Sequence, residues 1–157
     1  MAVKVGDKAP EFKLPDIDKA LKGPADFRGK NVILTFFPAV YTGVCDKEMC
    51  TFQASLAELN GVNAQVIAVS VDGFAANKKF ATEYKLGFPV LSDYKKEVIK
   101  KYGVEWPNFA GIEGFTVATR SVFILDKTGA VKYAWITDGQ GKEPNYDEVK
   151  KVAAALK

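Results

Sequence analysis

The chain has no histidine, and among its 157 residues only Cys45 and Cys50 are cysteines and only Arg28 and Arg120 are arginines. Without an imidazole, the side chain that most often serves as general base, proton shuttle and metal ligand is missing. Any covalent chemistry must therefore use a thiolate activated by something else. Two thiols without histidine also fall short of the roughly four soft ligands that a zinc or iron–sulfur centre takes, so no metal and no cofactor is expected. No apolar run approaches the roughly 18 residues needed to cross a bilayer. The first residues, Met1 to Asp7, lack the apolar core of a secretory signal, which points to a cytoplasmic protein without a membrane partner. In that compartment a pair of cysteines means catalysis, redox sensing or burial rather than a static staple. The scarcity of arginine narrows another choice. A site that needs a rigid, always-charged fork of donors has two candidates.

What is present describes an ordinary folded protein. Hydrophobic residues make up 48% and charged residues 26%, a balance that excludes intrinsic disorder. The formal charge is only +3. The lysine pairs 78–79, 95–96, 100–101 and 150–151 recur at helical spacings among acidic residues, which reads as a solvated face and not a nucleic-acid surface. With no repeat, low-complexity run or linker, residues 1–157 are expected to form one domain.

Asn31 to Phe37 is a short apolar, β-branched and aromatic run, the mark of a buried strand. From Cys45 to Asn60, Met49, Phe52, Leu56 and Leu59 recur at three- and four-residue steps, predicting one amphipathic helix stopped by Gly61. Val66 to Val71 reads as a second strand, and Asp72-Gly73 opens a helix to about Tyr84 with Phe74, Phe80 and Tyr84 inward. Phe88 to Leu91 predicts an edge strand, since Pro89 cannot donate to a ladder. Asp93 is placed to cap a helix that Gly103 ends. Residues 104–119 predict a long loop of the kind that carries function. Two strands, 121–125 and 131–136, joined through Asp126-Lys127-Thr128-Gly129, form a hairpin before a terminal helix over 146–156. This order predicts an α/β fold with a central mixed sheet flanked by helices.

Pro38, Thr42 and Cys45 stand in a P-x-x-x-T-x-x-C pattern directly after the first strand, and that pattern resembles the active-site signature of the peroxiredoxin family. Gly6 to Phe12, Phe27 to Lys30, Val69 to Asp72, Phe88 to Asp93 and Thr119 to Asp126 are similar to further family segments in the same order, so the likeness spans nearly the whole chain. Glu48 and the Cys45–Cys50 spacing resemble the bacterioferritin-comigratory, or Q-type, subgroup. The resemblance implies a thioredoxin-like fold and a peroxidase that reduces hydrogen peroxide and organic hydroperoxides. It implies that Cys45 attacks the peroxide and becomes a sulfenic acid. Thr42 would hold peroxide and thiolate, Pro38 would shield the site, Arg120 would bring its guanidinium to the sulfur, and Glu48 would orient Arg120. Cys50 would resolve Cys45 as an intramolecular disulfide, recycled by a thioredoxin-like or other dithiol reductant. The chain would work as a monomer or homodimer.

Alternatives stand beside these roles. Cys50 also fits a small buried apolar residue in the helix core. Phe37 and Tyr41 fit either walls of the pocket or core packing. Arg28 fits a loop or surface residue. A non-enzymatic redox sensor or chaperone-like protein could use the same two thiols, whereas a thioredoxin-type oxidoreductase would need C-x-x-C.

Two magnitudes frame the chemistry. A free thiol with a pKa of about 8.5 is only about 3% ionised at pH 7, and lowering that pKa to about 6 raises the thiolate roughly thirtyfold. Nucleophilicity falls as pKa falls, so the net gain is smaller. The larger share must come from donors aimed at the peroxide oxygens as their bond breaks. The spacing of the cysteines sets a second constraint. Five residues of helix separate Cα atoms by roughly 8–9 Å, beyond the ~7 Å that a disulfide tolerates. The bond thus requires the first turns of the helix to unwind.

Overall fold

The computed structural model describes residues 2–139 and 142–156. In chain order it contains β1 (Leu14–Pro15), β2 (Leu21–Lys22), β3 (Asn31–Phe36), α1 (Gly43–Ala54), α2 (Leu56–Gly61), β4 (Ala64–Ser70), α3 (Phe74–Glu83), β5 (Val90–Ser92) and α4 (Glu97–Tyr102). There follow β6 (Glu105–Trp106), β7 (Val117–Ala118), β8 (Ser121–Leu125), β9 (Val131–Ile136) and α5 (Tyr146–Ala155). Five strands form the central sheet in the order β5-β4-β3-β8-β9. β3, β4 and β5 run parallel, while β8 is antiparallel to both β3 and β9. This is the mixed sheet that the sequence predicts.

Every residue of β3 is buried, because the sheet is covered on both sides and neither face of a central strand meets water. Alternation sorts its side chains. Leu34 and Phe36 join a core with Ile67, Val69, Phe123 and, from α4, Ile99 and Tyr102. Ile33 joins a second core with Met49 and Phe52 of α1, Leu59 of α2, Phe80 of α3 and Val149 of α5. Thr35 has the parity of Ile33 and so turns toward α1.

The differences from expectation have local causes. The single helix over 45–60 is two helices broken at Ser55, whose φ/ψ of −92°/1° leaves the helical region while its N–H is shared by the Thr51 and Phe52 carbonyls. Phe74 is 41% exposed and not inward; it sits on the first turn of α3, with the Lys19 ammonium 5.7 Å from its ring centre. The edge strand starts at Val90, since Pro89 has no N–H to give and contributes only its carbonyl, to the Ala68 N–H. Asp93 does serve α4, though from a distance: its carboxylate accepts from the Val98 and Ile99 N–H groups at 3.2 and 2.8 Å, and the helix begins at Glu97. The loop over 104–119 is pinned at its ends by β6 pairing with β7.

Candidate active site

β3 delivers the chain to the C-terminal edge of the parallel strands, where open α/β sheets hold their ligands. From Phe37 the backbone turns through Tyr41, whose φ of +60° is left-handed and costs a non-glycine residue roughly 1–2 kcal/mol. Thr42 is extended and stands at the N-cap position of α1, but its side chain makes no capping bond. Its hydroxyl donates to the Ala39 carbonyl at 3.1 Å. The first bond within the helix runs from the Asp46 N–H to the Thr42 carbonyl. The N–H groups of Gly43, Val44 and Cys45 therefore have no carbonyl inside the helix to meet, as at every helix start.

Four side chains form a relay across this end of the sheet. Cys45 is fully buried. Arg120 lies immediately before β8, and Ser121 pairs with Phe36 in β3, which sets the guanidinium beside the start of α1. One nitrogen, Nη2, donates to Cys45 Sγ at 3.1 Å. The other, Nη1, donates to Glu48 Oε2 at 2.6 Å. The Thr35 hydroxyl donates to Glu48 Oε1 at 2.6 Å. Both carboxylate oxygens are thus held, and the guanidinium plane is fixed by its bond to one of them. Burial pushes the Glu48 carboxyl up, while Arg120 and the Thr35 hydroxyl pull it back. Burial alone would weaken the Arg120 cation; Glu48 and Cys45 more than offset it and hold its pKa above the ordinary value.

A cavity of about 170 Å³ opens beside this relay. Thr42, Arg120 and Thr137 give it a polar side; Pro38, Val44, Trp106 and Phe109 give it an apolar one. Trp106 and Phe109 meet edge to face at 4.9 Å, and Phe109 meets Phe115 likewise at 5.8 Å.

Cys50 lies on the same unbroken helix and meets other surroundings. It is half-buried. Burial pushes its thiol up, and the Asp46 carboxylate one turn earlier adds to the shift.

Pro38, Thr42, Cys45, Glu48 and Arg120 come together as one site, with Cys50 a turn further along α1. Phe37 and Tyr41 do not line the cavity: Phe37 is fully buried and stacks on Phe80, and Tyr41 packs its edge on the same ring while 46% exposed. Arg28 pairs with Glu11 at the surface. Sequence reading missed Thr35, Trp106, Phe109 and Thr137. Thr35 left a signal, being the hydroxyl inside an otherwise apolar strand core, where a buried polar group must find a partner.

The profile of the AhpC/TSA family matches residues 5–134. A chloroplastic peroxiredoxin Q of Sedum lineare is 34% identical over 155 residues, 99% of this chain and 80% of the relative. A chloroplastic peroxiredoxin Q of Oryza sativa subsp. japonica is 34% identical over 154 residues, covering 98% of this chain and 68% of the relative. Among solved structures, a peroxiredoxin-like protein of Aquifex aeolicus superposes with a TM-score of 0.86 at 31% identity, over 99% of this chain and 89% of that one. The architecture is accordingly thioredoxin-like.

Proposed function

The chain belongs to the AhpC/TSA family, and from that premise we propose how its site performs the family's chemistry, with Cys45 as the attacking thiol and Cys50 as the resolving one. The protein is a thiol-dependent peroxidase: it takes a hydroperoxide as oxidant and a thioredoxin-type thiol as reductant. In the first step the Cys45 thiolate attacks the distal oxygen of the hydroperoxide. The O–O bond breaks, the alkoxide or hydroxide leaves and takes up a proton, and Cys45 becomes a sulfenic acid. In the second step the Cys50 thiolate attacks the sulfenic sulfur, the S–O bond breaks, hydroxide leaves and takes up a proton from solvent to become water, and a Cys45–Cys50 disulfide remains. A dithiol reductant then reduces that bond and is itself oxidised.

The observation that carries the assignment is the 3.1 Å contact from Arg120 to Cys45 Sγ, made while the same guanidinium is locked to Glu48. A donor fixed in advance beside the reacting sulfur stabilises charge as it moves onto the peroxide oxygens, without reorganising at that moment. The N–H groups at the start of α1, which have no carbonyl partner within the helix, are the other donors in reach. The Thr42 hydroxyl would join them by turning its hydrogen from the Ala39 carbonyl to the peroxide, and Pro38 closes the apolar side of the cavity. An organic hydroperoxide would bury its carbon skeleton against Trp106 and Phe109. Stopped-flow oxidation of the reduced protein, with wild type beside Arg120→Ala, tests the assignment. The rate should fall further than the measured change in thiolate fraction accounts for; equal rates after that correction would refute it.

The working form is inferred to be a cytoplasmic monomer or homodimer, where both free thiols stay reduced between turnovers. Among the described residues no helix is long and apolar enough to cross a membrane. Light scattering during size-exclusion chromatography reads the oligomeric state. Sustained peroxide consumption with a thioredoxin system separates catalysis from a sensor that fires once.

A further inference from the structure

Closing the Cys45–Cys50 bond requires the start of α1 to unwind, so whatever ties that turn to the rest of the fold sets how often it opens. Glu48 is one tie, but its bonds to Arg120 and Thr35 belong to the peroxide chemistry. A second tie lies on the opposite side of the helix start and has no part in that chemistry. Tyr84, which closes α3, donates from its hydroxyl to Asp46 Oδ2 at 2.8 Å. Asp46 follows Cys45 directly and precedes Cys50 by one turn. Tyr84 is anchored on the body of the fold: its ring meets the fully buried Phe80 at 5.1 Å, and Phe80 stacks on Phe37. Asp46 is on the part that must move.

The tie is built to be broken. Asp46 Oδ1 is buried and has no hydrogen-bond partner among the described residues, so the folded form leaves one carboxylate oxygen without the water it would have outside. Unwinding gives that oxygen back to solvent. Upstream, left-handed Tyr41 stores strain in the segment that leads into α1.

We propose that the Asp46–Tyr84 hydrogen bond is a latch on the resolving step, with Asp46 and Tyr84 as positioning residues that hold α1 folded while Cys45 meets peroxide. The proposal rests on Cys50 being the resolving thiol. While the latch is closed, the Asp46 charge also opposes a Cys50 thiolate. When it opens, the thiol is freed in position and in charge together. The latch thereby sets a competition. The Cys45 sulfenic acid either loses water to form the disulfide with Cys50, or meets a second hydroperoxide, which transfers another oxygen to give a sulfinic acid and an alcohol.

Tyr84→Phe removes the hydroxyl and keeps the ring in its core. Stopped-flow traces after one equivalent of hydroperoxide should show the oxidation phase of Cys45 unchanged within about twofold. The disulfide phase should accelerate roughly tenfold, the worth of a partly solvated bond to a carboxylate. The peroxide concentration that yields half sulfinic acid, read by intact mass, should rise in proportion. In an Asp46→Ala background, Tyr84→Phe should add nothing more, which a merely destabilising change would not show. A disulfide phase unchanged or slowed in Tyr84→Phe, or equal additive effects of the two substitutions, would overturn the latch. Absence of any Cys45–Cys50 bond in wild type would instead overturn the resolving assignment, and the latch with it.

Discussion

Cys45 and Cys50 lie little more than one turn apart on a single helix, yet their surroundings are opposite in sign. Cys45 is sealed from solvent, and its sulfur accepts a hydrogen bond at 3.1 Å from the Arg120 guanidinium, a cation that cannot be neutralised. Cys50 is half-buried, and burial first, with the Asp46 carboxylate adding to it, pushes its thiol above the ordinary value. Under the proposed assignment, identical side chains on one element are set for different tasks by what packs against each face. The first would attack in the folded state, and the second would stay out of use until the helix opens.

The largest effect expected from this contrast is on the attacking thiol. Cys45→Ser should lower peroxide reduction at least about a thousandfold, since an alcohol does not replace a thiolate nucleophile and Cys50 lies away from the Arg120 donor. Cys50→Ser should retain the first oxidation and lose only the disulfide; retention of turnover in Cys45→Ser would reverse the assignment. Arg120→Ala comes next. Loss of one fixed donor at a developing charge costs about a hundredfold, and the alkylation rate of Cys50 should stay as in wild type. If both thiols slowed alike, the substitution would have acted on the fold and not on one sulfur.

Glu48 tests what fixes the arginine. Glu48→Ala leaves the Arg120 cation buried without its carboxylate, and such a change costs about 3 kcal/mol of stability, measurable by denaturant unfolding at neutral pH. A loss under about 1 kcal/mol would mean that the pair is not the structural support of the site.

The pH profile sharpens the other half of the contrast. A thiol pushed above its ordinary value is almost wholly protonated at pH 7, and its thiolate grows about tenfold per pH unit below the pKa. Alkylation of Cys50 in the reduced, folded protein should therefore keep rising through pH 9. A plateau below pH 8 would show the Asp46 side to be the less protonating one. The smallest effect concerns the cavity. Trp106→Ala should lower kcat/KM for a bulky aryl hydroperoxide about tenfold, the value of losing some 50 Å² of apolar burial, while hydrogen peroxide is little affected. Equal losses for both substrates would remove Trp106 from recognition.

The parts of this picture that sequence carries are those written locally. Strands β3 and β4 announce themselves as continuous apolar runs because both their faces are covered. Pro38, Thr42 and Cys45 stand in one short motif, and Glu48 follows Cys45 at a spacing that shares a helix face. Arginine scarcity narrows the guanidinium to Arg28 or Arg120, and the likeness of the Thr119–Asp126 segment to the family is what singles out Arg120. What sequence hides depends on contacts made far along the chain. Trp106 and Phe109 reach the cavity through a loop whose path turns on left-handed Asn108 and Ala110; asparagine is at home in that geometry, but alanine gives no sign of it. The break at Ser55 interrupts an apolar spacing that looks continuous. Phe37 and Tyr41 sit beside the motif yet serve the Phe80 cluster: Phe37 has the parity of Thr35 and packs in the core beneath α1, against Phe80, and Tyr41 meets the same ring from the turn.

The division of labour between the two thiols is tested most directly by following where oxidation goes. Reduced protein is given one equivalent of hydroperoxide, quenched with an alkylating agent at intervals from milliseconds to seconds, and peptide-mapped. A sulfenic acid on Cys45 should appear first and give way to a Cys45–Cys50 disulfide while Cys50 never carries oxygen. Oxidation that begins on Cys50, or a Cys45 sulfenic acid that persists with Cys50 still free, would contradict the account.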